Sequence, residues 1–497
     1  MAHIEDKLLD PHLLLPRTTP EAQGIASAAI LQFVDALDRH VHELHSFMLL
    51  RHGVVITEGW WSPYRAKDRH TLYSVSKSFT STAVGFAVSE GRFSINDPVV
   101  SFFPTYDVAR QGEFLAAMTV EHLLTMTTGQ TQDSWQTMVE RADNDWINTF
   151  FDVPVVHAPG TQFLYNNGAT YLLSAIVQQT TGMNLIEYLQ PRLFEPLGID
   201  GATWESSPQG ISVGAYGLSL CTEDIARFGQ LYLQGGRWGD RQLLPQAWID
   251  AAAAAQVENG NRTEASDSSQ GYGYQFWRCR HNAYRASGVF GQYCVMMPDQ
   301  DAVVVFTAGL DIFDAQQPLD LIWEIILPAM CASPLPMDAA AQAALSARVS
   351  SLARPVSAGQ SVSPASTEVV GRTYRFDANP LLIEAITLRN APSGWTVQVA
   401  TATGEDSFPC GYGSWEHGTV STLFKNAWWS ATLRTQVATS GAWTNDDCFS
   451  MLVRLVETPY FYALTFNWVE DALLLEVHIN VTLESPAPLL LLGRRDL

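Results

Sequence analysis

Basic residues are scarce in this chain of 497 residues, which sets 29 Lys and Arg against 51 Asp and Glu and carries a formal charge of −22. So acidic a surface repels phosphate backbones and anionic membrane surfaces, and nucleic acid is not expected as a partner. Cysteine is sparse too: the six residues Cys221, Cys279, Cys294, Cys331, Cys410 and Cys448 lie far apart with no CxxC pair. That spacing argues against a disulfide framework and fits buried thiols in a reducing compartment. No run of about 18 apolar residues is present, so no membrane-spanning helix is expected. The first residues carry Glu5 and Asp6 where an export signal would be basic, which points to the cytoplasm. His40, His42 and His45 are the one histidine cluster. No Cys or acidic pattern completes a metal site around them, and they are read as a solvated helix end.

What is present is ample core material, with 47% hydrophobic and 11% aromatic residues. A chain of this length is expected to form two or three domains. Ile30, Val34, Leu37, Val41 and Leu44 step by four and three, which predicts an amphipathic helix over Ile25 to Leu44. Phe47 to Leu50 and Val54 to Thr57 flank His52 and Gly53 as a tight hairpin. From Asp97 to Gln270 the signals are mostly short helices and turns, among them a helix from Thr119 through Leu124 to Gly129, one ending at Gly182 and one over Thr222 to Gln234. Tyr293 to Met297 and Val303 to Thr307 form a second hairpin around Pro298 to Asp301, and Leu319, Ile322 and Ile326 mark a last helix. Strands near both ends with helices between them imply one antiparallel sheet covered by the first and last helices, with a helical subdomain and a cleft between the two.

Ser333 to Ser366 is rich in Ala, Pro, Ser and Gln and reads as a linker with room for one short helix. Beyond it Tyr462, Leu464, Phe466 and Trp468, then Leu473, Leu475, Val477 and Ile479, alternate with mostly polar neighbours. The expected division is an N-terminal extension over 1–24, a first domain over 25–331, a linker over 332–368 and a separate β-barrel or sandwich over 369–497. His478 falls on the polar face of that last unit. Trp395, Trp415, Trp428, Trp429, Trp443 and Trp468 are expected to fill its core, with a ligand pocket as the alternative.

Three stretches carry chemistry. Ser74, Val75, Ser76 and Lys77 spell SxxK at the start of a helix that Gly91 stops. A hydroxyl and an amine three residues apart share one helix face, so the amine can take the hydroxyl proton. The unpaired N–H groups of the first turn favour a developing oxyanion and disfavour protonation of the lysine. About ninety residues on, Tyr165, Asn166 and Asn167 precede a helix, placing a phenol and an amide where both reach a cleft. The third stretch, Tyr284 to Gln292, has small residues that let a substrate lie against an edge strand whose backbone N–H completes an oxyanion hole with that of Ser74. Each has an ordinary alternative: Ser as an N-cap, YxN as a loop, the glycines as a turn.

Taken together, SVSKSFTS, EHLLTMTTG, FLYNNGATYLLSAIVQQTTG, YGLSLCTEDIARFGQLYLQGGRWGDRQLLP and ASGVFGQYCVMMPDQDAVVVF follow in order the pattern of the β-lactamase-related serine hydrolases. That group includes class C β-lactamases, DD-peptidases, esterases and 6-aminohexanoate-dimer hydrolases. The resemblance spans roughly Ile25 to Cys331 and implies an α+β fold of the β-lactamase/transpeptidase type. It also implies that Ser74 is the nucleophile, Lys77 its general base, Tyr165 the proton relay to the leaving group and Asn167 the amide of YxN. Ser287 and Gly288 stand at the family's KTG or HTG strand, with Val289 beside them as the second oxyanion donor. The chain departs there, because Ala286 stands where Lys or His is usual, which removes the cation that meets a substrate carboxylate. Arg285 is one residue off, and neighbours on a strand face opposite ways. GVFGQ looks more like the esterase and nylon-hydrolase side of the group.

A rival nucleophile, Ser212 in GISVG, lacks the strand before and helix after that an α/β-hydrolase elbow needs. Asp224 is more simply a helix-start charge than a triad acid. The resulting expectation is a serine hydrolase, free of metal and cofactor, that cleaves a small ester or amide through an acyl-enzyme. The alternatives are a transacylase or peptide cyclase, a true β-lactamase or DD-peptidase, and a non-catalytic binding protein on the same fold.

Overall fold

A computed structural model of the chain describes residues 15–106, 112–260, 266–423, 435–483 and 487–496. Trp428, Trp429 and the first fourteen residues of the N-terminal extension lie outside them. The first unit is built on a six-stranded antiparallel sheet of β1 (Leu44–Arg51), β2 (Val54–Trp60), β3 (Trp277–Arg278), β4 (Tyr284–Gly288), β5 (Gln292–Met297) and β6 (Ala302–Ala308), in the order β2-β1-β6-β5-β4-β3. Both expected hairpins are present, and Phe47 and Tyr293 flank Phe306 in register.

The alternation of the strands decides what covers each face. Phe47, Leu49, Val295, Val304 and Phe306 pack against α1 (Ser27–His40) and the segment carrying Leu319, Ile322 and Ile326. Met48, Leu50, Met296, Val303 and Val305 pack on the other face against α2 (Ser76–Ser89) and α4 (Thr222–Leu233) through Phe79, Ile225 and Phe228. With both faces covered, β1, β5 and β6 are buried along their whole length. The helical subdomain is built around α3 (Asn167–Thr181), whose end is set by Gly182 in the left-handed conformation.

Three local expectations are corrected. The first helix stops at His40, because Val41 turns extended and Glu43 takes a positive φ of 62°. Val41 and Leu44 are still buried in the same core, so the apolar spacing ran through a turn. His45 therefore belongs to β1 rather than to a solvated helix end. It is fully buried, stacked on Tyr64 at 3.7 Å, with Nδ1 3.0 Å from His70 Nε2. The helix after Thr119 spans only Val120–Leu124, since Met126 adopts a φ of 59°.

The stretch read as a linker does carry one helix, α5 (Ala339–Ser350), and it is strapped down. Leu345 and Leu352 join the core under α1, while Arg348 pairs with Asp35 and Asp38, and Arg354 with Asp38. Beyond it, ten strands from Thr373–Phe376 to Leu489–Arg495 form one sheet that closes where Gly411 pairs with Ser440. The expected choice between barrel and sandwich resolves to a barrel. Trp395, Trp443 and Trp468 are buried in its core, Trp415 packs beside Tyr64 and Val456, and His478 is exposed beside Glu476. Among the described residues no helix is long and apolar enough to cross a membrane.

Candidate active site

Ser74 lies in a single 3-10 turn, Tyr73–Val75, that runs directly into α2. Tyr73 before it takes a positive φ of 48°, a conformation that costs a non-glycine residue and persists only where surroundings hold it. One turn further on, Lys77 is fully buried in α2. Its Nζ lies 3.0 Å from Ser74 Oγ, 2.7 Å from Asn167 Oδ1 and 2.8 Å from the Ala215 carbonyl oxygen. Three acceptors would satisfy an ammonium, but burial disfavours the charge and lowers its pKa to about 7, against the opposing pull of Asp133. In the neutral amine two N–H groups serve Asn167 and Ala215, and the lone pair is left for the serine proton.

Tyr165 closes the other side. Its ring lies under Lys77 Nζ at 4.8 Å and stacks on Trp277 at 5.5 Å. Burial holds its phenol well above the ordinary range, and a hydrogen bond with Ser74 pulls it partly back. The phenol is thus neutral, and of the two groups Lys77 is the one that loses its proton near neutral pH. Asn167 opens α3 and is held by Asp133, which accepts from its backbone N–H at 2.8 Å and from Nδ2 at 2.6 Å. That bond fixes the amide so that Oδ1 faces the lysine.

The third stretch forms β4 and the turn to β5. Gly288 passes so close to the chain before Ser74 that a Cβ there would lie 2.3 Å from the Leu72 carbonyl oxygen. This glycine makes room for neighbouring backbone, with Ser287 and Val289 half-buried on either side. Ala286 is fully buried, and Arg285 is committed elsewhere, to the Asp267 carbonyl at 2.6 Å and Ser268 Oγ at 3.1 Å. Neither supplies a cation to the cleft. Ser212 is buried, with its Oγ accepting from the Leu185 N–H, and Asp224 pairs with Arg227 at 2.9 Å.

Sequence reasoning missed Asp133, Ala215 and the barrel residue Tyr460. Asp133 gives one local signal, an acceptor two residues before the Trp135 N–H that it binds. Ala215 acts through its carbonyl, which no side chain announces. Tyr460 accepts a 2.6 Å hydrogen bond from Tyr73, and Phe290, at the tip of the β4–β5 turn, is buried in the barrel core. The barrel is therefore part of the wall around Ser74.

Comparisons with known proteins place the whole chain. The chain is 26% identical over 314 residues to the 6-aminohexanoate-dimer hydrolase of Paenarthrobacter ureafaciens, covering 58% of this chain and 78% of that one. It is 24% identical over 323 residues to a β-lactamase of Escherichia coli K12, covering 53% and 81%. Among solved structures, a candidate 6-aminohexanoate-dimer hydrolase from Bacillus anthracis superposes with a TM-score of 0.50 at 19% identity, covering 66% of this chain and 90% of that one. A β-lactamase-like protein from Bacteroides dorei gives 0.51 at 17%, covering 60% and 98%; at these identities both speak to fold alone. The sequence model of the Beta-lactamase family matches residues 32–324, more than half of the chain, which belongs to the β-lactamase family of hydrolases.

Proposed function

We propose that this chain is a serine hydrolase that cleaves an ester or amide bond through an acyl-enzyme on Ser74. The observation that carries the reading is the buried Lys77, whose Nζ lies 3.0 Å from Ser74 Oγ and whose pKa is lowered to about 7 by burial. Ser74 attacks the substrate carbonyl as its proton passes to Lys77, and the C–O bond of a tetrahedral intermediate forms. The backbone N–H groups of Ser74, in the first turn before α2, and of Val289, after β4, take the oxyanion. Tyr165, neutral and hydrogen-bonded to Ser74, passes its proton to the leaving group as the bond to the carbonyl breaks, and the Lys77 ammonium restores that proton, leaving both groups neutral. Water then attacks the acyl carbonyl as Lys77 takes its proton, and that proton passes to Ser74 Oγ as the ester C–O bond breaks, releasing the acid and the free enzyme. Asn167, fixed by Asp133, holds the lysine in place. No step calls for a metal or cofactor.

The lack of a cation at Ala286 favours substrates without a carboxylate at that end of the cleft, and so esters and simple amides over β-lactams and carboxylate-terminated peptides. The catalytic unit is assigned to 25–331, with 332–368 as the strap to the barrel of 369–497. Ser74→Ala is expected to abolish turnover of p-nitrophenyl esters. Lys77→Ala is expected to lower kcat/KM by about 10² to 10⁴, the worth of a general base. Near-normal rates in either folded variant would end the assignment.

A further inference from the structure

Glu205 has no part in the chemistry above, yet it is anchored to it. Its N–H donates to the Gly217 carbonyl at 3.1 Å and its carbonyl accepts from Val213 at 2.8 Å. That sets it opposite the segment Ala215 to Gly217, whose first carbonyl holds Lys77. Gly217 has a φ of 91°, and a Cβ there would lie 2.7 Å from Glu205 Cβ and 3.2 Å from its Cγ, so the side chain runs across the glycine. Only a residue without a side chain leaves that path open.

The carboxyl is half-buried, and among the described residues no hydrogen bond or ion pair engages it. Three phenols are tied to the same segment: the Leu72 N–H, just before Tyr73, donates to the Leu218 carbonyl at 2.9 Å, next to Gly217. Tyr216 adjoins Gly217, Tyr73 immediately precedes the nucleophile, and Tyr460 reaches in from the barrel to accept the Tyr73 hydrogen bond. Burial raises the pKa of all three, and the Glu205 charge adds to the rise in each, so its field reaches every one. A carboxyl kept from water without a partner is unfavourable, and a ligand that ionises and pairs it relieves the cost.

The chemistry of the surroundings narrows that ligand. An anion is repelled, and a neutral group leaves the carboxyl as it was. A divalent cation wants several oxygen ligands, and no group of three or more His, Cys, Asp or Glu placed to hold a metal ion occurs among the described residues. An ammonium needs one carboxylate and the negative faces of aromatic rings. We propose that Glu205, with Tyr73, Tyr216 and Tyr460, forms a subsite for an ammonium group carried by the substrate next to the bond that Ser74 attacks. This specificity rests on the reading of Ser74 as the nucleophile. It names the preferred substrates as amine-bearing or quaternary-ammonium esters and amides.

The test compares charged with neutral probes of the same shape on either side of the scissile bond. One pair is acetylthiocholine and S-(3,3-dimethylbutyl) thioacetate, and the other is β-alanine p-nitroanilide and butyryl p-nitroanilide. Burial raises the Glu205 carboxyl to about 8, so the assays run at about pH 8.5, where it is mostly ionised. Wild type is expected to favour the charged member of at least one pair by about tenfold or more in kcat/KM, and Glu205→Gln to bring that ratio close to one. A ratio near one for both pairs in wild type, or a preference that survives Glu205→Gln, overturns the proposal. Calorimetric titration of phenyltrimethylammonium into the Ser74→Ala protein gives a readout free of turnover. Binding is expected there and is expected to weaken about tenfold when Glu205→Gln is added; no binding, or equal binding in both, overturns the subsite. Turnover of neither member of a pair by wild type, with binding intact, would instead fault the hydrolase reading.

Discussion

At the scale of the residue, the proposed mechanism makes Lys77 decide when the site can work. Burial lowers its pKa from 10.5 to about 7, so the neutral amine, which alone accepts the serine proton, becomes the major form as pH rises through that value. The Tyr165 phenol is held far on the alkaline side by burial and stays protonated throughout. For an uncharged ester, kcat/KM is therefore expected to climb from acid to a plateau with an apparent pKa of about 7. A stopped-assay profile from acid to mildly alkaline pH checks this, and a rate that falls on the way up to neutrality would contradict it. The Ser74–Lys77 pair was legible from sequence because i and i+3 on a helix face the same way, a relation that needs no tertiary knowledge. The Ala215 carbonyl and Asp133, which complete the lysine's setting, were not, since one is backbone and the other is placed by a turn 34 residues from its partner.

At the scale of the element, the β4–β5 turn joins the first unit to the barrel. Phe290 at its tip has a φ of 65°, is 2% exposed and belongs to the barrel's core rather than to that of its own sheet. Its ring meets Tyr73 edge-on at 5.5 Å and Tyr460 at 5.7 Å. One side chain thus links the turn, the residue before Ser74 and the barrel. Phe290→Ala is expected to cost about 3–5 kcal/mol of unfolding free energy, as for other buried phenylalanines, read from denaturant melts, and to lower esterase activity through the displaced Tyr73. A loss under about 1 kcal/mol with full activity would show the contact to be incidental. From sequence the stretch Tyr284 to Gln292 read as an edge strand, with a glycine-shaped turn as the ordinary alternative, and the structure has both: a strand to Gly288 and a turn after it. Why a phenylalanine sits at an otherwise small-residue tip depends on a partner, Tyr460, far along the chain, and local pattern carries no record of it. The overrun of the first helix has the same origin: Val41 and Leu44 are apolar because a shared core buries them, whether or not they are helical.

At the scale of the whole molecule, the architecture came through from sequence well. Alternation and helical spacing identify each face separately, and only one stacking buries them all. The antiparallel sheet assembled from distant segments, the helical subdomain and the C-terminal β-unit follow from those patterns. The closure of that β-unit into a barrel and its contact with the cleft do not, because both depend on how finished units dock. The barrel adds Tyr460 to the wall beside Ser74 and ties itself to the first unit again through Arg454 and Glu43 at 2.6 Å.

All of this turns on Ser74 as the acyl acceptor, and intact-protein mass spectrometry after incubation with a small activated ester tests that most directly. The account predicts one acyl group added to wild type and none to folded Ser74→Ala protein. An adduct of equal yield on the variant, or none on folded wild type, would contradict it.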